Sequence, residues 1–155
     1  MDSVKIAEFL KTVDNEYYKR LFEFAAKTGL RRGEVLGLQW DLIDFNNRVI
    51  LVKQSLLRVN GETFIQENTK NSLIRNVPFS NKIYKILKSI KAEQSKRKLL
   101  LKSQYNENNF VFALEDGSPP DPDTITHAFK KYARAAGMSE YTFHSLRHSF
   151  ASILK

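Results

Sequence analysis

Cysteine is absent from the 155-residue sequence, which removes disulfide staples, thiolate metal ligands and cysteine nucleophiles from the available chemistry. Long apolar runs are missing as well. No stretch approaches the roughly 18 to 20 residues that a membrane-spanning helix needs, and the first residues lack the apolar centre of a secretory signal peptide, so a cytoplasmic protein without a membrane partner is expected. Acidic residues are the scarcer charge, 17 Asp and Glu against 25 Lys and Arg, giving a formal net charge of +8 and a pI near 9.7. That excess favours a polyanionic partner, nucleic acid first and an acidic membrane surface second. What the chain does have is apolar bulk: a 42% hydrophobic fraction with 11 Phe, 6 Tyr and one Trp, enough to bury a core in one domain of this length.

Two segments at helical spacing open the chain. The second runs from about Asn15 to Thr28, with Tyr17, Leu21 and Ala25 on one line and Tyr18, Phe22 and Ala26 beside it, and Gly29 supplies its C-terminal cap. A short helix around Arg32 to Leu38 follows, whose Gly33 and Gly37 share one face and allow a neighbouring backbone to come close. Between Trp40 and Pro78 the period changes: 49–52, 63–65 and 74–77 read as strands, and Asn60-Gly61 is a hairpin turn signal.

Ser80 then caps a helix with Ile83, Ile86, Leu87 and Ile90 on one face and Lys82, Lys85, Lys88 and Lys91 on the other. That lysine stripe reads as solvated surface before it reads as a phosphate contact. Residues 96–109 read as a flexible connection and 116–120 as a loop. Asp121 and Pro122 start a further helix, with Ile125, Ala128, Phe129, Tyr132 and Ala136 inward, His127 outward and Gly137 at its end. A last segment from about Thr142 places Leu146, Phe150 and Ile153 on one side and His144, Arg147, His148 and Ala151 on the other. The fold class expected is α+β, mainly α: a helical domain with a small three-stranded antiparallel sheet inserted after the third helix.

On that last helix His144 and Arg147, three apart, point the same way. A guanidinium fork beside an imidazole suits a phosphate, since the first binds two oxygens and the second can donate a proton or hydrogen bond. Two other readings stand beside it. The pair can merely cap and solvate a terminal helix, or His144 and His148 can hold zinc, although position 145 is Ser and not the Glu of a metalloprotease helix.

Three segments decide between these: Thr28-Gly29-Leu30-Arg31-Arg32-Gly33-Glu34-Val35-Leu36-Gly37-Leu38, Thr69-Lys70-Asn71-Ser72-Leu73-Ile74-Arg75-Asn76-Val77-Pro78, and Thr142-Phe143-His144-Ser145-Leu146-Arg147-His148-Ser149-Phe150. In this order they resemble the boxes of the tyrosine recombinase, or phage integrase, family. The resemblance implies the helical catalytic domain of a DNA breaking and rejoining enzyme. It makes Arg31 the first catalytic arginine with Arg32 a variable neighbour, Lys70 the general acid on a sheet turn, and His144 with Arg147 the remaining phosphate-facing pair. Glu34 is read as holding local structure and His148 as ordering its helix. The implied activity is site-specific recombination or integration through a 3′-phosphotyrosine intermediate, with no cofactor and no metal.

The resemblance also implies what the sequence does not contain. The family's G-H or G-W box and nucleophilic tyrosine follow the last box, and a DNA-clamping domain precedes the first, so 1–155 reads as a partial catalytic domain; Tyr141, ahead of His144, is out of place for the nucleophile. By itself this segment is expected to be an inactive monomer that binds double-stranded DNA weakly, while the parent protein is expected to act as a tetramer on its recombination site. The alternative is a non-catalytic DNA-binding module derived from a recombinase.

Overall fold

A computed structural model describes residues 1–68 and 74–147. Helix α1 (Ser3–Thr12) starts where the Asp2 carboxylate accepts from the Lys5 backbone N–H, and α2 (Glu16–Thr28) starts where the Asn15 side chain accepts from that of Tyr18. Each cap satisfies a donor that the first helical turn leaves open. Gly29 ends α2 at φ 70°, in the left-handed region, and its N–H donates to the Ala25 carbonyl.

The apolar faces of α1, α2 and α5 (Pro122–Ala135) meet in an aromatic core. Phe9, Phe22 and Phe129 are fully buried there, with ring centroids 4.9, 5.4 and 5.7 Å apart. Burying one such ring is worth roughly 1.5–3 kcal/mol. Phe143 stands edge-on to Phe22 and Phe129 at 6.1 Å from each, which fixes the helical residues 143–147 against α2 and α5.

Helix α3 (Arg32–Leu36) is seated on strand β3 (Gln54–Val59) as the glycine spacing predicts. A Cβ on Gly37 would stand 2.8 Å from the Leu56 backbone nitrogen, and one on Gly33 3.3 Å from the Leu56 carbonyl oxygen. Only a residue without a Cβ allows this approach.

The strands divide into two sheets. β1 (Ile43–Asp44), β2 (Val49–Val52) and β5 (Arg75–Pro78) form one antiparallel sheet in the order β1-β2-β5, and β3 pairs with β4 (Glu62–Glu67) as a separate hairpin. The hairpin turns at Asn60 and Gly61, both at positive φ (53° and 80°), as a type I′ turn demands. Of the strands read from the sequence, 49–52 and 74–77 therefore pair with each other, while 63–65 lies in the hairpin. The register explains the division: Val52 pairs with Arg75 and Gln54 with Glu67, so the partner changes across Lys53, and the ladder breaks there.

Helix α4 (Asn81–Leu101) extends well into residues 96–109, where the sequence suggested a flexible connection, and a short 3-10 turn follows at Lys102–Gln104. Ion pairs Lys98–Glu107 (2.8 Å) and Arg97–Glu115 (3.8 Å) tie this last part to the following loop. Just before it, the buried Gln94 amide donates to the carbonyls of Phe110 and Val111 and accepts from the Trp40 indole. A polar side chain thus anchors α4 where the apolar stripe has run out.

Candidate active site

Arg31 occupies the N-cap position of α3, exposed, at the end of the loop that follows the Gly29 cap. The turn it sits on is held from beneath by Glu34, whose side chain is 2% exposed. One Glu34 oxygen accepts from the Arg31 backbone N–H at 2.9 Å and from an Arg75 terminal nitrogen at 2.9 Å; the other oxygen accepts from the second Arg75 nitrogen at 2.9 Å. Burial pushes the Glu34 carboxyl upward, but the Arg75 fork, the Arg31 N–H and both positive charges outweigh it and hold the group below the usual carboxylate range. The same fork raises Arg75. Glu34 is therefore a charged fastener between α3 and β5.

The second half of the site comes from 143–147. The Thr142 N–H donates to the Ser145 hydroxyl and the Ser145 N–H to the Thr142 carbonyl, which starts the turn. Phe143 and Leu146 are buried, leaving His144 exposed and Arg147 half-buried on the opposite side. Arg147 reaches back across the fold, its Nε donating to the Gly29 carbonyl at 3.0 Å. This contact orients the guanidinium through Nε and does not use its two terminal nitrogens.

The two halves border one open cleft of about 250 Å³, lined by Arg31, Arg32, Thr126, Thr142, His144 and Arg147 over a floor of Leu30 and Phe143. None of these lining residues is a carboxylate. Three guanidiniums and an imidazole therefore face a space without a negative group of its own, an arrangement that attracts an anion with several acceptor oxygens.

Arg31, His144 and Arg147 are thus brought together. Lys70 lies outside the described residues, as do residues 69–73 generally and His148, Phe150 and Ile153, and with them the zinc reading of His144 with His148. Reasoning from sequence missed Arg75. Its signal was the strand period, which puts Arg75 on the same face as buried Val77; an inward arginine needs an acid, and Glu34 is the buried one.

The sequence pattern of the phage integrase family matches residues 1–155. A XerC-like tyrosine recombinase of Caldanaerobacter subterraneus subsp. tengcongensis is 35% identical over 97% of this chain and 41% of its own length. The ICEBs1 integrase of Bacillus subtilis is 30% identical over 91% of this chain and 38% of its own length. The chain thus spans about two fifths of these curated relatives. Among solved structures, the Tn1549 transposon integrase in complex with transposon right end DNA superposes with a TM-score of 0.82 at 24% identity, covering 99% of this chain and 52% of that one. The XerA recombinase does so with a TM-score of 0.67 at 22% identity, covering 99% and 49%. At these identities the structures establish the fold, mainly helical with small antiparallel sheets. With the pattern matched from the first residue to the last, the chain belongs to the phage integrase family.

Proposed function

We propose that these residues are the phosphate-gripping part of the catalytic domain of a site-specific DNA recombinase, whose remaining segments lie elsewhere in a longer polypeptide. The observation that carries the reading is the convergence of Arg31, His144 and Arg147 on a cleft with no carboxylate among its lining residues. The partner is double-stranded DNA at a recombination site, and the whole protein works on it as a tetramer in the cytoplasm; the 155-residue segment alone is a monomer that does not cleave.

In the reaction a tyrosine oxygen attacks the scissile phosphorus and the bond to the 5′-oxygen breaks, leaving a 3′-phosphotyrosyl link and a free 5′-hydroxyl. The reverse attack by a 5′-hydroxyl rejoins strands, so phosphate-bond energy is conserved and no nucleotide or metal cofactor is consumed. Arg31 and Arg147 neutralise the charge that grows on the non-bridging oxygens. The Gly29 tether holds Arg147 ready, and Glu34 holds the turn carrying Arg31, so little reorganisation accompanies the chemistry. His144 donates a hydrogen bond or moves a proton at the same phosphate, and Lys70 protonates the leaving 5′-oxygen. No tyrosine lines the cleft among the described residues; the nucleophile comes from another part of the polypeptide.

The test is to incubate the full reading frame with nicked suicide DNA substrates and to look on a denaturing gel for protein joined covalently to DNA. A tyrosine-linked adduct is expected, and Arg31→Ala or Arg147→Ala should reduce it on the order of a hundredfold or more. DNA binding without any adduct overturns the catalytic reading and leaves a DNA-binding module.

A further inference from the structure

Arg32, read from the sequence as a variable neighbour of Arg31, lines the same cleft. Its Nη1 donates to the Thr126 hydroxyl at 2.5 Å and to the Pro122 carbonyl at 3.3 Å, both on α5. Arg20, Arg58, Arg75 and Arg97 each have a carboxylate within 4 Å; Arg32, like Arg31 and Arg147 across the same cleft, has none among the described residues. A half-buried guanidinium on the wall of an open cleft, with no acid to neutralise it, is placed to receive an anion. Both acceptors engage one nitrogen, so its other N–H groups are not used by them. Thr126 accepts from Arg32 through its hydroxyl oxygen, which leaves its own proton to donate, and Thr126 also lines the cleft. The ion pair of Arg58 with Asp121 at 3.0 Å braces the same end of α5 from β3. The donors are thus fixed before any ligand arrives.

One phosphodiester offers two non-bridging oxygens, and the guanidiniums of Arg31 and Arg147 are enough to engage both. A third guanidinium at the α5 wall serves a different group. We propose that Arg32 and Thr126 form a second anion subsite of the cleft that holds a backbone phosphate adjacent to the scissile one and so fixes the path of the DNA strand into it. The proposal rests on the recombinase reading.

The experiment measures binding of the full-reading-frame protein to a fluorescein-labelled mixed-sequence duplex by anisotropy, at salt from about 50 to 200 mM. Arg32→Gln should weaken binding roughly tenfold, as for a charge-assisted hydrogen bond, and lower the slope of log affinity against log salt by about 0.9, one phosphate contact. Arg32→Lys should restore most of the slope. Thr126→Val removes a hydroxyl and no charge, and should weaken binding several-fold at unchanged slope; it decides the matter should Arg32→Gln fail to fold. A loss of thermal stability in Arg32→Gln with affinity and slope as in the parent overturns the proposal and makes Arg32 a brace between α3 and α5. If the parent forms the covalent adduct while these variants bind normally, only this inference fails; if the parent does not bind duplex at all, the recombinase reading fails with it.

Discussion

Gly37→Ala tests the seat on which the first half of the cleft rests. The added Cβ meets the Leu56 nitrogen at 2.8 Å and the Ser55 carbonyl carbon at 3.0 Å, both backbone atoms of β3. Neither can rotate away, so the strand must retreat by about 0.6 Å to regain ordinary contact. Overpacking of this kind costs about 1–3 kcal/mol, against which the stiffer unfolded chain returns about 0.4–1 kcal/mol. The net loss of about 1–2 kcal/mol should appear in urea unfolding as a lower midpoint at unchanged m-value, and as a fall in Tm of roughly 2–8 °C. Gly33→Ala is the internal comparison: its Cβ meets the Leu56 oxygen and Ser55 Cβ at 3.3 Å, a few tenths of an ångström of crowding offset by helix propensity. It should be close to neutral. Equal stability of Gly37→Ala and the parent, or a larger loss in Gly33→Ala, would refute the packing of α3 on β3.

Glu34→Gln should cost about 3 kcal/mol, since it strips the acid from the buried end of the Arg75 pair; equilibrium unfolding measures it. Because the folded Glu34 titrates below its unfolded value, its contribution is full above the unfolded range and is lost as the pH falls through the folded pKa. Stability of the parent should therefore decline on acidification below about pH 4.3, with a smaller decline in Glu34→Gln. Gln94→Leu should lose about 2–4 kcal/mol by stranding two carbonyls and an indole N–H, and the emission of Trp40, the one tryptophan in the sequence, should shift in the folded state. Arg147→Lys keeps the charge but not the fork that bonds Gly29 while leaving two nitrogens for the proposed phosphate; adduct formation by the full protein should drop on the order of a hundredfold, and an unchanged yield would show that charge alone suffices.

Local signals in the sequence carried far. The Ser80 cap, the Gly29 stop, the Asn60-Gly61 turn and the Asp121-Pro122 helix start are each fixed by a residue's own stereochemistry, and the structure places all four as read. The paired glycines of α3 even foretold a close backbone neighbour, though not that β3 would be it. What stayed hidden depends on distant partners. The two-residue β1 is too short to show a period, and the division of the strands follows from a break in register at Lys53. Residues 96–101 look irregular because their three leucines run consecutively and not at helical spacing, yet they are helical, with Leu99 and Leu100 exposed, and joined to residues 107 and 115 by ion pairs. The site was legible through its motifs, but not the contacts that assemble it: the Arg147–Gly29 bond, the Glu34–Arg75 fork and the Arg32 bridge to α5 each join residues tens of positions apart.

The longest of these contacts has a consequence during synthesis. Gly29 and Arg147 are 118 positions apart, so at ordinary elongation rates about 6 to 24 s pass between their appearance on the ribosome. Over that interval the first helices and the β3–β4 hairpin can form from contacts near in sequence, while Arg31 waits on a surface with half its site untranslated. The cleft is therefore completed in one late step, when residue 147 closes on the α2 cap.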